Sequence, residues 1–442
     1  MKYQGYENYK ASGFIWLGKI PAHWISVLLK RVAEITYGIG GEIDKTIMDG
    51  VSTISLPNVK IDGTLDIFNE EVPKAIIDEK EKLKLLLKKG DLLFNWRNGS
   101  ADHLGKTAIF NLENEYSHVS FLLKIRVNQQ NIEPKFLHYL LNGYRISGFF
   151  KHAKAGVNNT FNLSELSNLP VIIPDKIEQK SIANFLDRET ARIDALIEKK
   201  QKLIQLLKEK RRALITKAVT KGLNPDVKMK ESGIDWLGDI PEHWEVKKLK
   251  YISKIVLGKM LTPTDKGGSS LKPYLRAQNL DWINPNIADI KTMWFAITEL
   301  SKYRVKKNDL LVSEGGEVGR TCIWSDELSE VYIQNSVNKV TIEQGNPYYY
   351  LFLLYAFGQY GFFDAIVSRV SIGHLTKEKL KEIFIIAPPY DEQVIIVEHI
   401  QKKRKIIESL IHKVEIAIKK HKEYRTALIS AAVTGKIAIK KN

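Results

Sequence analysis

The 442-residue chain carries 67 Lys and Arg against 51 Asp and Glu, a formal net charge of +16, with 44% hydrophobic and 27% charged residues. That length suggests two or three domains, and the ordinary apolar and charged fractions make a folded chain, not disorder, the default. A single cysteine, Cys322, excludes an intrachain disulfide framework and fits a reducing compartment.

The N-terminal stretch Met1 to Lys10 lacks the apolar centre of a signal peptide, and the leucine run Leu83–Leu87 is hemmed by lysines and too short to span a bilayer. A cytoplasmic protein without a membrane partner is expected. The excess positive charge repels itself in a compact state, so it points to a polyanionic partner, nucleic acid first.

Along the chain, the first distinctive segment is Ser12-Gly13-Phe14-Ile15-Trp16-Leu17-Gly18-Lys19-Ile20-Pro21-Ala22-His23-Trp24. It returns 220 residues later, without gaps, as Ser232-Gly233-Ile234-Asp235-Trp236-Leu237-Gly238-Asp239-Ile240-Pro241-Glu242-His243-Trp244. Further blocks repeat in order. Gly90-Asp91-Leu92-Leu93 answers Asn308-Asp309-Leu310-Leu311. Leu104-Gly105-Lys106-Thr107 answers Val318-Gly319-Arg320-Thr321. Gly148-Phe149-Phe150 answers Gly361-Phe362-Phe363. The offset drifts between blocks, as expected of one fold with different loops.

Each repeat mixes strands with helices. Phe121–Val127 and Asn338–Ile342 read as strands, Phe136–Tyr144 and Tyr348–Gln359 as helices. Leu169–Pro174 and Ile383–Pro388 read as short extended leads. A long helix follows each lead. Asp175 caps the first, with Glu178 placed to complete a capping box, and Gly222 and Gly435 stop the two helices.

Both helices carry a 3-4 spacing. In the first it runs through Ile182, Leu186, Glu189, Ile193, Leu196, Lys200, Leu203, Leu207, Lys210 and Leu214. In the second it runs through Ile396, Ile400, Lys403, Ile407, Leu410, Val414, Ala417, His421, Tyr424 and Leu428. A narrow seam of this length predicts a coiled coil. Antiparallel pairing with each other is the simplest use; dimerisation between chains is the alternative.

The expected fold class is mixed α/β (α+β): two similar globular domains separated by two long antiparallel coiled-coil helices. The boundaries are 1–170, 171–222, 223–386 and 387–442.

Domain, helix, domain, helix, with each domain introduced by the double-tryptophan motif and each helix by Glu-Gln, resembles the specificity subunit of type I restriction–modification enzymes. The resemblance covers essentially the whole chain. It implies two target-recognition domains, each reading half of a split asymmetric site in double-stranded DNA. It implies helices that fix the spacer and dock methyltransferase subunits, with separate restriction subunits acting as the motor. S-adenosylmethionine, ATP and Mg would belong to those partners, leaving this chain no cofactor and no catalytic centre.

The residues themselves offer little competing chemistry. Ala387-Pro388-Pro389-Tyr390 resembles an adenine methyltransferase loop, but Ala387 cannot hydrogen-bond a target amino group and no glycine-rich cofactor loop accompanies it. Pro225-Asp226 with Glu245-Val246-Lys247 resembles a nuclease metal site, yet the first repeat has Ile25-Ser26-Val27 there. His23 and His243, kept beside Trp24 and Trp244, suit a packed turn better than catalysis. No zinc spacing is present.

Base readout needs Arg, Lys, Asn or Gln with two-point hydrogen bonding, and phosphate contact needs Lys or Arg. Loops that differ between repeats are the place to look. In the first domain the candidates are Asn95, Arg97, Asn98, His103, Lys106, Lys151, Lys154, Asn158 and Asn159. In the second they are Arg276, Gln278, Asn279, Ser313, Glu314, Arg320, Arg369 and His374. Lys106 and Arg320, at matched positions, suit either shared phosphate contacts or ion pairs inside the fold. A coiled-coil scaffold that touches no DNA is the alternative function.

Overall fold

A computed structural model of the chain describes residues 3–40, 50–97, 100–153, 160–234, 237–265, 267–366 and 374–439. Two compact units emerge: Met1–Lys200 with Ile416–Asn442, and Gln201–Glu415.

In the first unit a four-stranded antiparallel sheet runs in the order Ala33–Tyr37, Leu122–Val127, Leu92–Asn95, Thr107–Ile109. Strand alternation divides its side chains between two cores. Leu92, Phe94, Leu123 and Ile125 pack with Phe136, Leu137, Leu140 and Tyr144 of the helix Pro134–Ile146. Leu93, Ala108 and Leu122 face the other way, toward Ile54, Val59 and Phe110. A three-stranded sheet of Lys74–Ala75, Val51–Ile54 and Tyr116–His118 backs that second core.

The second unit builds the same arrangement. Ser253–Leu257, Val337–Ile342, Leu310–Ser313 and Thr321–Ile323 form its main sheet. Leu310, Val312 and Val340 pack on the helix Pro347–Gln359, whose residues 349–357 are all buried. Cys322 is buried on the opposite face with Leu275, Leu311 and Trp324, and burial pushes its thiol up.

The repeated blocks are paired contacts. Gly105 and Gly319 have φ of +80° and +76°, and a Cβ at either would lie 2.3 and 2.2 Å from Phe150 and Phe363. Each glycine thus serves the left-handed turn and the close approach of the second Phe of its Gly-Phe-Phe block.

The introducing motif locks onto its unit's helix start. Trp24 is fully buried and donates its Nε1 hydrogen to Glu178 at 3.0 Å; His23 meets the same carboxylate at 2.8 Å and Tyr6 at 2.6 Å. In the second unit Trp244 and His243 meet Glu392 at 3.0 and 2.8 Å. The neighbouring glutamine holds the globular part: Gln179 accepts from the Glu133 amide and Gln393 from the Asn346 amide. Asp175 caps the helix by accepting from the Glu178 amide, as expected.

The long helices are Lys176–Lys221 and Tyr390–Val433. Within the first unit they run in opposite directions: Trp24 sits between Glu178 and Gly435, and Asp194 farther along meets Arg425 at 3.0 Å. Within the second unit Gly222 lies by Glu392, and Arg211 reaches Glu408 at 3.5 Å.

The seam keeps the predicted positions only in part. Leu186, Ile193, Ile396, Ile400 and Ile407 are buried as expected. The alternate positions shift by one residue: Thr190, Ile197, Ile204 and Ile411 are buried, while Leu196, Leu203 and Leu410 are 37–43% exposed. Both members of each Leu-Ile pair are apolar, so spacing alone fits two phases. The observed phase also brings Arg211, Arg404 and Arg425 to the seam's edge, where each finds a carboxylate.

Candidate nucleic-acid interface

The two ends of the first unit's main sheet differ. Beyond Val127 the chain reaches the long helix, where Gln179 donates to the Asn131 carbonyl and Lys176 to that of Gln129. At the other end Tyr37, Leu123, Phe94 and Thr107 stand in register across the strands, with the Leu122–Asn95 pair one step beyond. The candidate loops converge here. Arg97 forms a bridge with Thr160, and the Phe161 amide donates to the Trp96 carbonyl at 2.7 Å.

Arg97 is exposed, its guanidinium 5.8 Å from the centre of the Phe121 ring. Lys151 is exposed and paired with Asp102 at 3.1 Å; His103 is exposed beside them. Two candidates lie elsewhere. Asn95 is fully buried and donates to the His103 carbonyl at 3.3 Å. Lys106 is buried with Nζ donating to the Val59 carbonyl at 2.6 Å, and burial lowers its pKa. Its long stem turns inward, and its charge is spent on the fold. Asn98, Lys154, Asn158 and Asn159 lie outside the described residues.

The corresponding end of the second unit gathers four separate segments, around Ala277, Glu314, Ser336 and Leu375. The Glu314 amide donates to the Ser336 carbonyl at 2.9 Å, and Leu375 donates to the Glu314 carbonyl at 2.8 Å. The Ala277 amide donates to Ser336 Oγ at 3.0 Å, and Arg320 donates to the Ala277 carbonyl at 3.0 Å. His374 is exposed and lies against Gly315. Glu314 is partly buried, and desolvation raises its carboxyl pKa. Gln278 is exposed.

The other candidates here serve the scaffold. Asn279 is buried, donating to the carbonyls of Asn286 and Asp289 at 3.0 and 3.1 Å. Ser313 is buried and donates to the Gly315 carbonyl at 2.6 Å. Arg276 pairs with Asp289, and Arg320 with Glu317 at 3.0 Å. The internal ion pair foreseen as one option for Arg320 is therefore present. Arg369 lies outside the described residues.

Sheet register makes the two ends comparable residue by residue. Asn95 faces Leu122 as Ser313 faces Val337, and Tyr37 faces Leu123 as Leu257 faces Asn338. Trp96 thus corresponds to Glu314, Arg97 to Gly315, Phe121 to Ser336 and Tyr37 to Leu257. The first unit presents rings and one guanidinium where the second presents a carboxylate, a hydroxyl and amides. Tyr37, Phe121, Gln334 and Asn335 were not singled out from sequence. None of the four lies in a block that repeats between the halves, so only the register reveals their place.

Among the described residues no group of three His, Cys, Asp or Glu is disposed to hold a metal, and no helix is long and apolar enough to cross a membrane. Pro388 and Pro389 lead into a helix, with Gln393 donating to the Pro388 carbonyl, and Glu245 pairs with Lys247 at 2.5 Å.

The family model for the type I restriction modification DNA specificity domain matches this chain twice, over residues 41–206 and 241–420. The chain is 29% identical to the "Putative type I restriction enzyme MjaX specificity subunit" of Methanocaldococcus jannaschii, over 98% of this chain and 97% of that one. It is 22% identical to the type I restriction enzyme EcoBI specificity subunit of Escherichia coli, over 94% and 86%. Among solved structures, the HsdS subunit from Thermoanaerobacter tengcongensis matches with a TM-score of 0.57 at 16% identity, covering 95% of this chain and 98% of that one. A chain from a structure of type I R-M complex assembly and conformational transition matches with a TM-score of 0.64 at 16% identity, over 94% and 98%.

Proposed function

The chain belongs to the type I restriction modification DNA specificity family, and on that premise we propose that it is the DNA-sequence-recognition subunit of a type I restriction–modification complex. Each globular domain reads one half of a bipartite, asymmetric site in double-stranded DNA. The helices set the spacer between the halves and dock methyltransferase subunits, and restriction subunits complete the assembly. Catalysis and its cofactors reside in those partners, in the cytoplasm.

The observation that carries this reading is the pair of equivalent sheet ends. One fold, present twice, gathers separate loops at the same place and fills that place with different side chains: Trp96, Arg97 and Phe121 in one, Glu314, Gly315 and Ser336 in the other. A scaffold has no use for such divergence at matched positions, whereas a reader of two unlike half-sites requires it. The +16 charge supplies the general attraction to phosphate. The half-exposed Leu203, Leu206, Ile406 and Leu410 on the helices offer apolar surface for protein partners.

Duplex binding by the chain assembled with its methyltransferase subunits tests the reading. Affinity should fall steeply and log-linearly with salt, and should be higher for a duplex carrying both half-sites than for either alone. Equal affinity for all duplexes would return the chain to the scaffold reading.

A further inference from the structure

Resting on that reading, we infer that Arg97 and Phe121 form the base-reading pair of the first domain, and that its half-site contains a thymine adjacent to a guanine. Arg97 takes the guanine and Phe121 takes the thymine methyl, in the major groove.

Three features lead there. The first is what the cations at this end already do. Lys106 is buried on a carbonyl and Lys151 is held by Asp102. Among the described residues, the Arg97 guanidinium meets neither a carboxylate nor a hydrogen-bond acceptor and lies over the Phe121 ring, 5.8 Å from its centre. A guanidinium on a ring face is held in orientation while its N–H edge remains open. The open edge of an arginine fork matches the two acceptors of guanine, N7 and O6.

The second is the chemistry of the wall beside it. Phe121 is 44% exposed, a large apolar ring left toward solvent. Its neighbours already engage a polar atom each within the fold. Trp96 donates its indole hydrogen to the Ser120 carbonyl at 2.6 Å, and the Tyr37 hydroxyl accepts from the Leu163 amide at 3.3 Å. Tyr37 and Trp96 pack edge to face at 5.4 Å. The wall therefore presents mostly carbon, edged by the Tyr37 hydroxyl, which keeps its own hydrogen to donate. In the major groove the apolar group available to it is the C5-methyl of thymine. Because Arg97 lies on the ring, the two contacts fall about one base step apart, which makes the thymine and guanine neighbours.

The third is the second domain. Gly315 and Ser336 stand where Arg97 and Phe121 do, so this pairing is absent there. The requirement for a thymine–guanine step belongs to one half-site, and the two halves differ for a stated chemical reason.

The test uses the complete complex. Methylation sequencing first gives the split motif, and the half altered by Phe121→Ser or Arg97→Ala is assigned to the first domain. Competition binding then compares duplexes with deoxyuridine for the thymine, which removes only the methyl, and 7-deazaguanine for the guanine, which removes only N7. Wild type should lose several-fold affinity with deoxyuridine and about tenfold or more with 7-deazaguanine. Phe121→Ser should become indifferent to deoxyuridine while remaining sensitive to 7-deazaguanine and to the other half-site.

A first half-site lacking such a step, variants that alter neither half, or equal deoxyuridine sensitivity in wild type and Phe121→Ser would each overturn the inference. A split motif recovered alongside any of these results leaves the recognition function standing. Absence of a split motif removes both.

Discussion

At Glu178 a single carboxylate, 1% exposed, accepts from Tyr6, His23 and Trp24. This contact explains why a motif at the start of the domain and a Glu-Gln pair some 150 residues away appear together in both repeats. The carboxylate suits three donors because an ionised carboxyl only accepts. Glu178→Gln keeps the shape but turns one acceptor into a donor. It should cost about 1–3 kcal/mol of stability, seen as a lower urea midpoint. An unchanged midpoint would mean that the cluster is incidental.

His118 gives a second prediction at this scale. It is fully buried, and burial, with Lys124 adding repulsion, holds its imidazole at about 3. The unfolded chain binds a proton near the ordinary His value of 6.5, which the folded chain refuses until about 3. This group therefore costs no stability above 6.5 and costs progressively more as pH falls through that window. The sheet register places Ile333 at the same position in the second unit, so His118→Ile suits this core. The variant should lose less stability than wild type between pH 6.5 and 4 in denaturant titrations. Parallel pH profiles would contradict the assignment.

At the scale of elements, what the sequence disclosed follows from how each feature is built. Gly105 and Phe150 touch, as do Gly319 and Phe363, so contact partners repeat together and are visible as matched blocks. The strands and leads were legible from their short β-rich runs. The seam was legible only in part, because Leu196 and Ile197, or Leu410 and Ile411, satisfy the spacing equally well until a facing helix chooses. Lys106 was ambiguous because a lysine stem reaches either solvent or a buried carbonyl. Phe121 and Tyr37 were hidden because strand register, which aligns them with Ser336 and Leu257, is a property of pairing and not of spacing.

The helices also carry a prediction. At 46 and 44 residues they span about 65–70 Å at 1.5 Å per residue. Inserting one heptad into both, near Lys200 and Ile418, preserves the seam phase and lengthens the pair by about 10 Å. Methylation sequencing of cells carrying the variant should show the same half-sites with a spacer about three base pairs longer. An unchanged spacer would separate helix length from site geometry.

At the scale of the whole molecule, the chain is a duplicated reader with unlike tips. Its charge provides affinity without sequence, and the divergent sheet ends provide sequence without much charge. The measurement that bears most directly on this account is single-molecule methylation sequencing of DNA from cells carrying this chain with its methyltransferase partners. The account predicts a split motif of two different half-sites around a fixed, unread spacer, with a methylated adenine on each strand. One continuous motif, two identical half-sites, or no dependence of the motif on this chain would contradict it.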